Sequence, residues 1–363
     1  MDRKIKKLLS FAMACVLCLG IFAGCDQGTP PETEPSTEPE ESKISPEERG
    51  YYLAEDYIAD PSLFVPSWAD EWQPPEEMLD FEEKYNSFFT PNGRMMSIAH
   101  RGDRNILYPE NSIEGILSVI MAGADIVEID VILTKDGIPV AFHDEDLLRT
   151  TNLTLMRLNG LADDLPKSNK IGDWTLEELR KLRLTMESGD GTNYVIPTLR
   201  DVFMICEGRC MVYLDKVRRI DWIRDIVPII EDLECYRTVI IPYTYDTGIA
   251  NLYNKRLKNA SGYNTPYAAQ AGASTVADVT AGLEKHDLCR AIRLGEYLPG
   301  DPAYRAPYAA YVGKYRIVCE TLTRANDNAT VWQEMYDNGF NTVMGNVDPY
   351  GLMKFIAQLH FGG

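Results

Sequence analysis

From Met95 onward the chain alternates short apolar runs with helical patterns, and this alternation limits the fold more than any other feature. MMSIAH reads as a strand, and NSIEGILSVIMAGA as a helix that Asn111 or Ser112 can cap and Gly123 can stop. IVEIDV and IPVAFHD read as the next strands, WTLEELRKLR and LRDVFMICEG as helices, MVYLDKV as a strand, and WIRDIVPIIEDLE as a helix. TVIIPY opens a stretch, residues 244–311, whose many Ala, Gly, Tyr and Asn residues fit helices and loops without fixing their order. RIVCETL and FNTVMG close as strands, with YGLMKFIAQL as a last helix. Such alternation over about 270 residues fits a parallel sheet with both faces covered, either a closed eight-unit barrel or an open doubly wound sheet. No Gly-rich phosphate loop follows the first strand, which weakens the nucleotide-binding version.

Within that frame IVEIDV is costly. Side chains alternate along a strand, so Glu128 and Asp130 share one face while Val127, Ile129 and Val131 share the other. Carboxylates in a dry interior need a cation, a rim open to water, or both.

The N-terminus reads as processed. Residues 1–24 combine a basic start with an apolar run at 8–23 that is short for a membrane span, and so predict a secretory signal. FAGC resembles a bacterial lipobox, which implies lipid at Cys25 and attachment to the extracytoplasmic face of a bacterial cell membrane. The acidic, Pro-rich linker 25–48 cannot build a core and reads as a spacer. Residues 49–90, aromatic and broken by prolines, read as an extension packed on the domain behind, with a short helix at 76–88; residues 91–363 form the barrel domain. A net charge of −19 excludes nucleic acid as a natural partner and leaves lipid as the only route to a membrane. Five scattered cysteines beyond Cys25 do not make a disulfide scaffold, and no protein partner is evident.

Polar residues gather at the C-terminal ends of the expected strands: His100 and Arg101, Glu128 and Asp130, His143, then Asp215 and Lys216. In a parallel barrel those ends open on one face, where sites are built. Glu128, Asp130 and Asp215 are hard oxygen ligands suited to magnesium or calcium. Arg101 offers a fork for phosphate oxygens, and two histidines can divide general base from general acid. The set suits a phosphodiester, small or lipid-derived, better than a sugar or a peptide.

The stretch from Ser97 to Asn152 closely resembles the opening of the glycerophosphodiester phosphodiesterase family. His100-Arg101-Gly102 fill its first element, Pro109-Glu110-Asn111-Ser112 its second and Glu128-x-Asp130-Val131 its third; Thr134-x-Asp136-Gly137, His143-Asp144 and Arg149-Thr150-Thr151 complete it. The resemblance implies a TIM (β/α)8 barrel of the PLC-like phosphodiesterase type, with His100 and His143 as the acid/base pair. It also implies Glu128 and Asp130 as metal ligands, Arg101 on the phosphate, and Glu110, Asn111 and Asp144 as supports. The activity implied is metal-dependent hydrolysis of a glycerophosphodiester to glycerol 3-phosphate and an alcohol. Related alternatives are a lysophospholipid or wall-polymer substrate, or a barrel that only binds. Two positions depart from the pattern. Asp215 stands where Glu is common, with Lys216 beside it; Lys216 reaches the site only if the strand has ended there. Asn346, in VMGNVDP, stands as a further support but replaces an acid, which points to an altered substrate-facing rim or rim charge more than to an altered metal centre.

Overall fold

The computed structural model describes residues 44–217, 220–242, 255–256, 267–270, 290–302, 306–309 and 311–362. The expected signal, Cys25 and most of the acidic linker lie outside these residues, as do Cys289 and most of 244–311. No described helix is long and apolar enough to cross a membrane.

Among the described residues the strands are β1 (Met96–His100), β2 (Ile126–Leu133), β3 (Pro139–Ala141), β4 (Met211–Asp215), β5 (Val239–Pro242), β6 (Tyr267–Gln270), β7 (Ala291–Glu296), β8 (Arg316–Thr321) and β9 (Thr342–Gly345). Leaving β3 aside, the other eight pair in parallel with their neighbours in chain order, and β1 pairs with both β2 and β9. The ring is therefore closed: this is a TIM barrel, not the open sheet.

IPVAFHD was expected to add another strand of the parallel set, and here the structure differs. β3 runs antiparallel on the far end of β2, with Val131 opposite Ala141. The connection is a tight turn with Gly137 at φ 80°, far too short for the crossover that a parallel partner needs. His143 thus follows a hairpin return rather than a barrel strand. Beyond it, a lobe packed around the buried Trp174 leads to the next helix.

The two faces of each strand separate cleanly. Val127, Ile129 and Val131 join Ala99, Val212, Leu214 and Ile292 in the layer beneath the helices. Ile126 faces inward with Met96, Ile98, Met211, Tyr213 and Met344. The helix expected at 76–88 is broken at Asp80, whose carboxylate caps the second half, α1 (Phe81–Phe88). Phe81, Tyr85 and Phe88 of α1 belong to the same cluster as the inward-facing strand residues, so the extension supplies part of the barrel's interior core. Arg316, fully buried, ties the extension on by donating to the carbonyls of Ser87, Thr90 and Arg94.

Outside the barrel run α2 (Ile113–Met121), α3 (Leu199–Cys206), α4 (Val227–Leu233), α5 (Ala329–Asp337) and α6 (Pro349–His360). Ser112 caps α2, accepting from the Gly115 N–H. WIRDIVPIIEDLE begins as a π turn at Trp222–Ile226, because Pro228 has no N–H to donate to the preceding turn. WTLEELRKLR makes only one turn, Leu176–Leu179. Cys206, Cys210, Cys235 and Cys319 are buried thiols.

The extension meets α2 through a buried pair: Tyr57 donates to Glu114 Oε1 at 2.6 Å. Burial pushes the Glu114 carboxyl up to about 7, although the Tyr57 bond opposes the shift. A carboxyl raised in the folded state contributes stability that is fully present below its unfolded value and is lost as pH rises through the folded one. Stability should therefore fall between about pH 4.5 and 7, by about 3 kcal/mol. Glu114→Gln, which keeps an acceptor for Tyr57 without the charge, should remove that slope and exceed the native chain in denaturant unfolding at pH 8. A slope unchanged in the variant would place its origin elsewhere.

Candidate active site

Parallel register assembles the site. It sets His100 beside Glu128 across β1 and β2, and Asp130 beside Asp215 across β2 and β4. The apolar interior gives way here, one layer higher, to charge. Three turns then aim side chains that a continuing strand would point outward. Arg101, Asn111 and Lys216 all adopt φ 58°, a left-handed conformation costing about 1–3 kcal/mol each for residues with a side chain. At Lys216 the strand has ended, so this lysine and Asp215 line the same cavity.

Glu128 is fully buried. Its Oε2 accepts from the Arg101 backbone N–H at 3.0 Å and lies 3.6 Å from His100 Nε2, while Oε1 has no hydrogen-bond partner. Burial pushes its carboxyl well above the ordinary range, and the charges of Asp130 and Asp215 push it further. Asp130 is raised by burial too, against the pull of Arg101, whose Nε lies 3.2 Å away. Asn111 fixes Asp130 from both sides, donating from its amide at 3.2 Å and accepting from the Asp130 N–H at 3.3 Å. Asp215 behaves oppositely: burial is outweighed by Arg293, 3.0 Å away, and its carboxyl is held below the usual range.

His100 donates from Nδ1 to Asn346 Oδ1. The amide's orientation is set by its other end, since Asn346 Nδ2 donates to the Leu322 carbonyl at 3.0 Å. With Nδ1 carrying the hydrogen, Nε2 presents a lone pair to the site. Burial, then the Arg101 charge, lowers the imidazole to about 3, so it is neutral at physiological pH. His143 pairs instead with a carboxylate, Asp144, through Nδ1.

Glu110 is the hub of the rim. It accepts from Arg101 at 3.1 Å and from Asn105 at 3.3 Å, and it receives Arg149, which also holds Asp144. Lys216 donates from Nζ to the His143 carbonyl, joining the hairpin return to the end of β4. A cavity of about 670 Å³ opens beside these residues, lined by His143, Asp144, Asp215 and Lys216 and walled by Ile132, Leu133, Ile171 and Ile220.

The structure thus gathers His100, Arg101, Glu110, Asn111, Glu128, Asp130, His143, Asp144, Asp215, Lys216 and Asn346 at one mouth of the barrel. As placed, Asp130 and Asp215 are drawn to arginines, and among the described residues no group of three or more His, Cys, Asp or Glu is already set for a metal ion. Asn346 is buried and holds His100, so the change at that position acts on an imidazole rather than on rim charge. Sequence reasoning missed Arg293 and Glu320, which pair at 2.7 Å on β7 and β8, and Arg104, which donates to the Asn346 carbonyl at 3.2 Å. Arg293 lies in AIRLGE, where alternation of Ile292 and Leu294 about a charge was the available signal.

Residues 100–221 match the model of the glycerophosphoryl diester phosphodiesterase family. A glycerophosphodiester phosphodiesterase of Caldanaerobacter subterraneus is 39% identical over 112 residues, 30% of this chain and 40% of that protein. Glycerophosphodiester phosphodiesterase 1 of Homo sapiens is 34% identical over 119 residues, 32% of this chain and 31% of that protein. The matched segments thus span less than half of these relatives. Among solved structures, a glycerophosphoryl diester phosphodiesterase from Parabacteroides distasonis superposes with a TM-score of 0.60 at 22% identity, covering 79% of this chain and 93% of that one. That likeness carries the barrel fold.

The left-handed turn at Lys216 yields a test. Lys216→Gly suits φ 58° and Lys216→Val opposes it, and both lose the amine. The valine variant should unfold at lower denaturant, by about 1–2 kcal/mol relative to the glycine variant. Equal stability would show that the turn stores no strain.

Proposed function

We propose that this chain, whose residues 100–221 match the glycerophosphoryl diester phosphodiesterase family model, hydrolyses glycerophosphodiesters to glycerol 3-phosphate and an alcohol. The observation that carries the reading is the pairing of two histidines with unlike partners, an amide for His100 and a carboxylate for His143, at one charged mouth. The amide acceptor takes the hydrogen on Nδ1 and so turns a bare Nε2 of His100 to the site, which suits taking a proton from the attacking hydroxyl, whether water or the glycerol's own. Asp144 holds the His143 ring through Nδ1, which suits the other ring nitrogen to giving a proton to the departing alcohol. Arg101 and Lys216 supply positive charge for the phosphate oxygens.

The donor set fits a divalent cation. Glu128, Asp130 and Asp215 offer hard oxygens, and the orphaned, buried Oε1 of Glu128 is an acceptor that no side chain satisfies. Magnesium or calcium bound there would neutralise charge on the phosphate and offset repulsion among the carboxylates. Arg101, 3.2 Å from Asp130, is the cation beside that centre that would meet the phosphate. Asn111 keeps Asp130 oriented, and Glu110 keeps Arg101 and Arg149 from collapsing on the acidic centre.

The cavity beside His143 lies where the departing alcohol is protonated. Its four aliphatic walls favour a second reading, in which the alcohol part has an apolar body, as in a lysophospholipid. Attachment through a lipidated Cys25 at the outer face of a bacterial membrane would bring the site to such substrates.

Purified protein should release alcohol from glycerophosphodiesters with magnesium or calcium and stop with chelator. His143→Ala should lower kcat roughly 10²- to 10⁴-fold. Small-headgroup diesters and lysophospholipids compared side by side distinguish the two readings. A folded, metal-supplemented chain that cleaves neither class would refute the assignment.

A further inference from the structure

Arg293 is the one cation described inside the barrel that the proposed reaction leaves without a task. It is almost fully buried, on β7, with its guanidinium 5.2 Å above the Tyr213 ring. Its Nη1 lies 3.0 Å from Asp215 Oδ2, while Nε and Nη2 both reach Glu320 Oε1, at 2.9 and 2.7 Å. Three strands, β4, β7 and β8, are joined through this one side chain. Both oxygens of Asp215 are engaged, because Oδ1 accepts from the Lys216 N–H at 2.7 Å.

A divalent cation that recruits Asp215 must share its carboxylate with a fixed positive charge, and like charges at one carboxylate repel. Glu320 makes the exchange feasible. Its two hydrogen bonds hold the guanidinium when Nη1 lets go, so Arg293 never becomes a buried charge without a partner. The shorter aspartate arm fits the same arrangement, since it keeps the carboxylate back against β4, within reach of Arg293.

We propose that Arg293 is a positioning residue that competes with the divalent cation for Asp215 and holds down the cation affinity of the carboxylate cluster. The inference rests on the metal-dependent reading above. Glu128, Asp130, Asp215 and Glu320 face Arg101 and Arg293, so carboxylates outnumber the guanidiniums beside them. Removing Arg293 both frees Asp215 and raises that excess. Removing Arg293 and Glu320 together frees Asp215 at unchanged net charge.

Calorimetric titration of the full chain with magnesium chloride and calcium chloride, without substrate, tests this. Arg293→Gln should bind the ion on the order of 10- to 100-fold more tightly than the native chain. The double variant Arg293→Gln/Glu320→Gln should also bind more tightly, by a smaller factor. It carries the test if the single variant fails to fold, because it leaves no unpaired carboxylate. A structural brace has no reason to strengthen metal binding when removed. Native protein that binds the ion, with a folded variant no tighter than it, overturns the role of Arg293 alone. Native protein that binds neither ion overturns the metal reading and this inference with it.

Discussion

Glu128 has no contact with water, and the rest of the charged mouth answers to that fact. A carboxylate in a closed barrel cannot be left to solvent screening, so its charge must be met by the protein, by a bound ion, or by a proton. The chain meets it only in part: the Arg101 N–H satisfies one oxygen and nothing satisfies the other. Arg101 and Arg293 sit on the flanking aspartates instead of on Glu128 itself. This uneven pairing leaves one acceptor of Glu128 open in a layer whose other carboxylates are held by internal salt bridges.

The barrel accounts for how such a cluster is tolerated. Its lower interior is filled by Met96, Ile98, Ile126, Met211 and Met344, with aromatic side chains from α1 packed among them, so the stability of the fold does not depend on the polar layer above. Strain is spent at the same level. Arg101 and Lys216 turn left-handed right after β1 and β4, and each turn brings a cation back over the mouth that a continuing strand would have sent outward. Local cost and functional placement coincide in both.

Much of this was legible in the sequence. The period-two alternation of IVEIDV placed Glu128 and Asp130 on one face and the aliphatics on the other, and the alternation of strands with helices led to a covered parallel sheet. Closure was not legible in the alternation itself and came only with the family resemblance, because it depends on β9 returning to β1, a pairing of residues more than 240 positions apart. The direction of β3 escaped because an apolar run carries no sign of orientation; the short link through Gly137 decides it. Arg293 and Glu320 escaped because their partners lie on other strands. A single arginine in AIRLGE reads as an exposed charge until the barrel closes around it. Asn346 was read as a supporting residue, and only the folded chain shows that its amide faces His100.

The contrast between the two histidines follows from the same geometry. His100 stands on β1 within the buried layer, where a second carboxylate beside Glu128 would add repulsion that the arginines are already needed to offset. An amide at position 346 orients the ring without adding charge. His143 stands on a hairpin return at the rim, partly open to water, where Asp144 can carry a full charge because Arg149 balances it. The partner of each imidazole is therefore dictated by depth: a neutral acceptor where charge is already in excess, an anion where solvent and a neighbouring guanidinium share its cost. The unlike settings of the two imidazoles need no separate cause, because they follow from how far each strand or loop carries its histidine toward the mouth.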